Sequence, residues 1–262
     1  MSDPLDMKGK AVIVTGGSSG VGWGITTRFF EVGADVVICD LKEPAELPAQ
    51  GERRAVFVKA DVRDVEQIEG VVGLAKESFG HLDVLVNNAG GSPPTDAATA
   101  APRLSESIIR LNLIAPLHFS QKANAVMQEQ EEGGVIINIA SVSAIRPSPG
   151  TAAYAAAKAG LLSLTQTLAV EWAPKVRVNA VTSGMIQTEL SALHYGDGEG
   201  LAAVAATVPL GRMGLPRDVA DVCLFLASPL ASYVSGAGIL MHGGGEKPAF
   251  LGAAKASERG RC

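Results

Sequence analysis

The chain has 262 residues, 47% of them hydrophobic and 19% charged, with 22 basic against 27 acidic side chains and a formal net charge of −5 at pH 7. That balance excludes a disordered chain, and the acidic excess, with no Lys/Arg block, gives no electrostatic footprint for nucleic acid or an anionic membrane surface. Cys39, Cys223 and Cys262 show neither CxxC nor CxxH spacing, so neither a disulfide framework nor a zinc site is expected, and a reducing, cytoplasmic setting is.

Residues 1–7 carry two acids and no apolar leader-like run, and no stretch of about 18 apolar residues follows. From residue 8 onward, short β-branched apolar runs recur at Ala11–Val14, Val36–Ile38, Val56–Val58, Val84–Val86, Val135–Ile137, Val176–Val181 and Gly238–Met241. Each reads as a strand buried on both faces. Between them, Val21, Ile25 and Phe29, then Val65, Ile68, Val72 and Ala75, keep helical spacing. The alternation predicts an α/β protein, a single-domain doubly wound parallel sheet of about seven strands with helices on both faces, over residues 8–245. The segment 187–212 breaks the rhythm with Gly196-Asp197-Gly198 and scattered apolar residues, which suits a lid over a substrate pocket. Residues 246–262 form a C-terminal tail, either disordered or folded over a neighbouring subunit.

The first strand ends in Thr15-Gly16-Gly17-Ser18-Ser19-Gly20-Val21-Gly22, and a helix follows. Backbone N–H groups in such a turn, with the positive end of the helix behind them, hold a pyrophosphate without any lysine. Alone the pattern is equally a tight turn; its place between strand and helix favours the phosphate reading. Asp40 stands 18 residues beyond Gly22 at the end of the second strand, placed to accept from an adenosine 2′-OH. No Arg or Lys occupies Gly17, Ser18 or Ser19 to meet a 2′-phosphate, so NAD is expected over NADP. Asn87-Asn88-Ala89-Gly90 closes the fourth strand and Asp61-Val62 follows the third. Each is either a plain turn or a border of the ligand crevice that open α/β sheets place at their strand ends.

Ser141 closes the fifth strand, Tyr154 lies 13 residues further and Lys158 another 4. The i,i+4 pair shares a helix face, and an ammonium beside a phenol favours phenolate, a usable general base. A Tyr and Lys four apart are ordinary in a helix, so the pair gains meaning only beside the nucleotide half. Together, TGxxxGxG (Thr15 to Gly22), NNAG (Asn87 to Gly90), Asn112, Ser141 and YxxxK (Tyr154 to Lys158) resemble the classical short-chain dehydrogenase/reductase family in order and spacing. The likeness continues through Asn179–Gly184, Arg212–Ala220 and Ser235-Gly236.

The resemblance implies a Rossmann-like fold and an NAD-dependent oxidoreductase in which Tyr154 exchanges the substrate hydroxyl proton and Ser141 bonds the substrate oxygen. Lys158 would hold the nicotinamide ribose and lower the Tyr154 pKa, and Asn112 would anchor a proton-relay water. Gly16, Ser18, Ser19, Gly20, Val21, Gly22, Asp40, Leu41, Asp61, Val62, Asn88, Ala89 and Gly90 would line the cofactor. Gly184, Met185, Ile186 and Thr188 would hold its carboxamide end. Ser183 stands where the family usually has proline, which puts the rigidity of that loop in question, and His242 replaces a common Asp. His81, His118 and His194 are isolated, and no metal is expected.

Carrier-protein-dependent ketoacyl reductases of this family usually present basic residues where this chain has Gln128-Glu129-Gln130-Glu131-Glu132, an acidic stretch that would repel an acidic carrier. With Met185, Leu190, Leu193, Tyr195, Leu201 and Val204 in the lid, the expected substrate is a small apolar secondary alcohol or its ketone: a hydroxyacyl-CoA, or an alicyclic or steroid-like alcohol. The alternatives are a 3-oxoacyl-acyl-carrier-protein reductase and a non-catalytic nucleotide-binding protein that kept the fold; the Tyr–Lys gap of 4 disfavours enoyl reduction. Related proteins pair through the helices that here span Arg103–Met127 and Thr151–Trp172, which implies a homotetramer.

Overall fold

Every residue of Ala11–Thr15 is buried, which a strand permits only when both faces of its sheet are covered. The computed structural model describes residues 3–250 and shows that cover. In chain order the elements are β1 (Ala11–Thr15), α1 (Gly20–Glu31), β2 (Asp35–Asp40), a small hairpin of β3 (Ala49–Gln50) and β4 (Arg53–Arg54), β5 (Val56–Lys59), α2 (Val65–Phe79) and β6 (Val84–Asn87). Then come α3 (Pro102–Ile109), α4 (Ala115–Glu129), β7 (Gly134–Ser141), α5 (Ala152–Glu171), β8 (Val176–Ser183), α6 (Ala192–Tyr195), α7 (Gly198–Thr207), α8 (Pro216–Ala227) and β9 (Gly238–Met241).

Seven strands make one sheet in the order β5-β2-β1-β6-β7-β8-β9, with every pairing parallel. Strand alternation sends successive side chains to opposite layers. Val12 and Val14 pack with Ile25 and Phe29 of α1 and Val219 and Leu224 of α8. Ile13 packs with Ile68 and Val72 of α2 and Phe119 and Met127 of α4. The chain leaves β1 toward β2 on one side, while β6 lies on the other, so crossovers diverge at β1/β6 and open a crevice beyond the strand ends.

Burial holds through the middle of the inner strands and fails at the edges. Val56–Lys59 is only half-buried and Gly238–Met241 alternates between exposed and half-buried, because each edge strand has a neighbour on one side only. The expected single helix over 103–127 is interrupted: a π-helical turn spans Arg110–Ile114, closed by the Ala115 N–H donating to the Arg110 carbonyl. Pro116 supplies the reason. Its missing N–H is the one that would serve the Asn112 carbonyl in an α-helix, so the ladder shifts by one residue there.

The segment 187–212 forms α6 and α7, joined through Gly196 at φ +86°. Neither helix buries a residue in the core. The tail beyond Phe250 lies outside the described residues, and no helix among the described residues is long and apolar enough to cross a membrane.

Candidate active site

The ends of β1 and β6 are laced together across the crevice. The Thr15 hydroxyl accepts from the Asn88 and Ala89 N–H groups, each at 3.0 Å. The Asn88 side-chain amide donates to the Thr15 and Gly16 carbonyls at 3.0 and 3.1 Å. Gly16 sits at φ +62°, and a Cβ there would press to 2.9 Å from the Ala89 Cα, so a side chain is refused on both conformational and steric grounds. A Cβ on Gly22 would collide with the Gly16 carbonyl and stand 2.5 Å from the Asn88 amide. Below this lies a buried polar web that sequence reading missed. The Asn87 amide donates to Asn138 Oδ1 and Ser120 Oγ at 2.9 Å each, and the Asn138 amide donates to Thr165 Oγ1 at 2.9 Å. Asn within an apolar strand is the signal that was available, since a buried amide needs partners.

Asp40 closes β2 against the glycine-rich turn, its carboxylate accepting from Ser18 N at 3.1 Å and Leu41 N at 2.7 Å. Ser19 precedes α1 without capping it, and the first turn of α1 holds no acid. The Ser18 hydroxyl is buried with no hydrogen-bond partner. An orphaned hydroxyl, an uncapped helix start and a cradle that any Cβ would fill together fit the diphosphate of a dinucleotide. Asp61 is engaged differently from the expectation of an open border. Arg63 grips its carboxylate at 2.6 to 3.1 Å and holds it below the usual carboxylate range. A cavity of about 640 Å³ opens beyond Asp61 between Arg63, Arg103 and Arg110, but neither Ser141 nor Tyr154 lines it.

At the other side of the crevice, Ser141 ends β7, and Tyr154 and Lys158 occupy successive turns of α5. The Lys158 ammonium is 5.5 Å from the Tyr154 ring centre and donates to the Ile139 carbonyl at 2.8 Å. A Cβ on Gly90 would stand 2.6 Å from Asn112 Oδ1 and 3.3 Å from Lys158 Nζ, so NNAG, the π turn and α5 converge on one point. The Asn112 side chain is fully employed: Oδ1 accepts from Gly91 N, and the amide donates to the Gly91 and Ile108 carbonyls, all at 2.9 Å. What Asn112 has left is its backbone carbonyl, the group Pro116 cannot serve.

Burial pushes Lys158 down to about 8. Burial pushes the Tyr154 phenol up, the Tyr195 phenol on α6 adds to the rise, and the Ser141 hydroxyl pulls against it. The lowering of Tyr154 by Lys158 that the resemblance implies opposes this effect of burial. Burial also pushes the Cys39 thiol up to about 12 and raises Cys223, which leaves both unreactive.

The loop after β8 is tied down without a proline. Ser183 donates to the Ala140 carbonyl at 3.2 Å, Gly184 N to the Met241 carbonyl at 2.8 Å, and Gly214 N to the Met185 carbonyl at 2.9 Å. His242 packs so close that a Cβ on Gly184 would lie 2.8 Å from its own Cβ. Ile186 bridges Gly214, and the Thr188 N–H donates to Ser191 Oγ at 2.8 Å. Glu189, which sequence reading passed over, reaches back to the glycine-rich turn and accepts from Gly20 N at 2.9 Å.

A family model described as Enoyl-(Acyl carrier protein) reductase matches residues 16–246. The chain is 36% identical over 239 residues to a 3alpha-hydroxysteroid dehydrogenase of Mediterraneibacter gnavus, covering 88% of this chain and 94% of that one. It is 37% identical over 250 residues to 3beta-hydroxysteroid dehydrogenase 1 of Eggerthella lenta, covering 91% and 94%. The structure of Thermoplasma acidophilum aldohexose dehydrogenase in ligand-free form superposes with a TM-score of 0.85 at 30% identity, over 92% of this chain and 95% of that one. The chain belongs to the short-chain dehydrogenase/reductase family. It is an oxidoreductase of CH–OH groups that works with a nicotinamide dinucleotide.

Proposed function

We propose that this protein is an NAD-dependent dehydrogenase that interconverts an apolar secondary alcohol and its ketone through Ser141, Tyr154 and Lys158. The observation that carries the substrate class is the segment 187–212. Leu190 and Leu193 are 55% and 77% exposed, and α6 and α7 contribute nothing to the core. Tyr195 on α6 is near enough to Tyr154 to raise its pKa. Exposed apolar side chains on the segment that brings Tyr195 near the Tyr154 phenol suit an apolar substrate.

NAD, when bound, would supply the hydride acceptor. The chain's own part is positional. The glycine-rich turn and α1 hold the diphosphate, Asp40 accepts from the adenosine ribose, and the loop Gly184–Thr188 holds the carboxamide. Ser141 would donate to the substrate oxygen, and Tyr154, as the phenolate that the neighbouring Lys158 ammonium favours, would take the hydroxyl proton. Lys158, already donating to Ile139, has further N–H bonds to offer the second ribose. Asp40 with Leu41 brings no cation to a 2′-phosphate, which favours NAD over NADP.

Ketoacyl reduction on a carrier protein is the second reading. The acidic stretch opposes it less uniformly than its sequence suggests: Glu129 pairs with Lys76 at 2.9 Å, and Gln130 turns in to bond Leu82 and Gly133. Glu131 and Glu132 remain exposed to repel an acidic partner. Initial rates across secondary alcohols, 3-hydroxyacyl thioesters, hydroxysteroids and sugars, with NAD⁺ and NADP⁺, decide. An apolar alcohol with NAD⁺ is expected to lead; leadership by a sugar, or by an acyl-carrier ketoacyl substrate with NADPH, overturns the reading. A homotetramer joined through α3–α4 and α5 belongs to the same proposal, and light scattering at the 26.9 kDa of one chain would reject it.

A further inference from the structure

The N–H groups of the glycine-rich turn are already shared between two carboxylates of this chain. Asp40 takes Ser18 N at 3.1 Å, and Glu189, 169 residues away in sequence, takes Gly20 N at 2.9 Å. Gly20 opens α1, whose first turn holds no acid and whose preceding Ser19 gives no side-chain cap. The positive end of that helix therefore draws its anion from the segment after β8, and Thr188 crosses with it: a Cβ on Gly20 would lie 3.6 Å from Thr188 Cγ2. Glu189 itself is exposed, so its carboxylate is not driven onto Gly20 by burial. The attraction that remains is the one an external phosphate would feel, a negative charge at an uncapped helix start.

We propose that the Glu189 carboxylate is a built-in competitor of the cofactor's pyrophosphate, pinning the turn 187–191 to the glycine-rich turn and setting how tightly dinucleotide binds. The inference rests on reading that turn as the pyrophosphate seat. A phosphate oxygen and Glu189 Oε1 cannot both accept from Gly20 N at hydrogen-bond distance without two anions in contact, so one leaves as the other arrives. Seating the cofactor then releases Glu189, and with it the start of α6, from Gly20. By linkage, anything that holds α6 down against Gly20 weakens cofactor binding by the same factor.

The test is calorimetric titration of the full chain and of Glu189→Gln and Glu189→Ala with NADH and ADP-ribose, which carry the pyrophosphate, and with adenosine, which does not. Both variants should tighten NADH and ADP-ribose by about threefold to tenfold, the scale of an anion at an exposed helix end. Adenosine should bind all three proteins alike. A thermal melt of each variant alone establishes that it is folded, and Glu189→Gln decides if Glu189→Ala does not fold. If NADH binds the parent chain and the variants equally, or more weakly in the variants, the role of Glu189 falls while the cofactor reading stands. Equal tightening of adenosine also overturns it, because the gain would not come from the phosphates. Failure of NADH and ADP-ribose to bind any of the three proteins overturns both readings.

Discussion

The nucleotide side and the 187–212 segment are built on opposite principles. Around β1, β6 and β7, polar side chains are buried and spent on one another: Thr15 on Asn88 and Ala89, Asn87 on Asn138 and Ser120, Asn138 on Thr165. In α6 and α7 no side chain is fully buried, and Leu193 stands exposed. A site that recognises an invariant ligand gains from a rigid frame held by its own hydrogen bonds. A site that selects among alcohols needs surface left over.

Breaking the chemistry that lies between these regions should have the largest effect. Tyr154→Phe keeps the ring and removes the proton acceptor, so turnover should fall by about 10² to 10⁴ while NADH affinity by titration stays unchanged. Near-full activity would remove Tyr154 from the role. On the rigid side, Asp40→Ser deletes the carboxylate that orders Ser18 and Leu41 N–H groups. Its loss should narrow the NAD over NADP preference in kcat/KM by about tenfold or more, the worth of a charge-assisted hydrogen bond.

Lys158→Met probes the cost of that rigidity. Burial lowers the folded-state pKa to about 8 from the ordinary 10.5, so below pH 8 the folded chain carries a buried ammonium that the unfolded chain would hold in water. Between pH 8 and 10.5 the unfolded state binds more protons, and stability of the parent protein rises with pH. The methionine variant should therefore be more stable by about 1–3 kcal/mol at pH 7 in urea denaturation, less the lost bond to Ile139. Its advantage should shrink across pH 8 to 10.5. A constant difference over that window would show that folded Lys158 keeps its proton as long as the unfolded chain does, so that burial does not lower its pKa.

Leu193→Ser sharpens the other side and has the smallest effect on the fold. Stability should change by no more than about 0.5 kcal/mol, as for an exposed position, whereas kcat/KM for an apolar alcohol should drop by about tenfold. A variant that loses stability in step with activity would show that Leu193 packs on the protein and not on substrate.

The same contrast explains what was readable. All seven principal strands were legible as apolar runs, and Gly16, Gly20 and Gly22 as a turn before a helix, because burial and backbone geometry act on consecutive residues. The interruption at Asn112 was not, although Pro116 stood in the sequence, because proline within a helical pattern has several outcomes and packing chooses among them. Full burial was expected of Gly238–Met241 and is absent, since nothing local tells a run that it will lie at an edge.

By itself, then, the sequence determined the alternation of strands and helices, the glycine-rich turn before α1, and the face shared by Tyr154 and Lys158, each set within a few residues by period and conformational freedom. Tertiary structure alone decided the rest. It placed Glu189 on Gly20, turned the Asn112 side chain wholly to Gly91 and Ile108, buried Lys158 against Ile139, and brought the Ser141 hydroxyl and the Tyr195 phenol to Tyr154. Those outcomes depend on desolvation and on partners that are distant along the chain, and such terms exist only once the layers have closed.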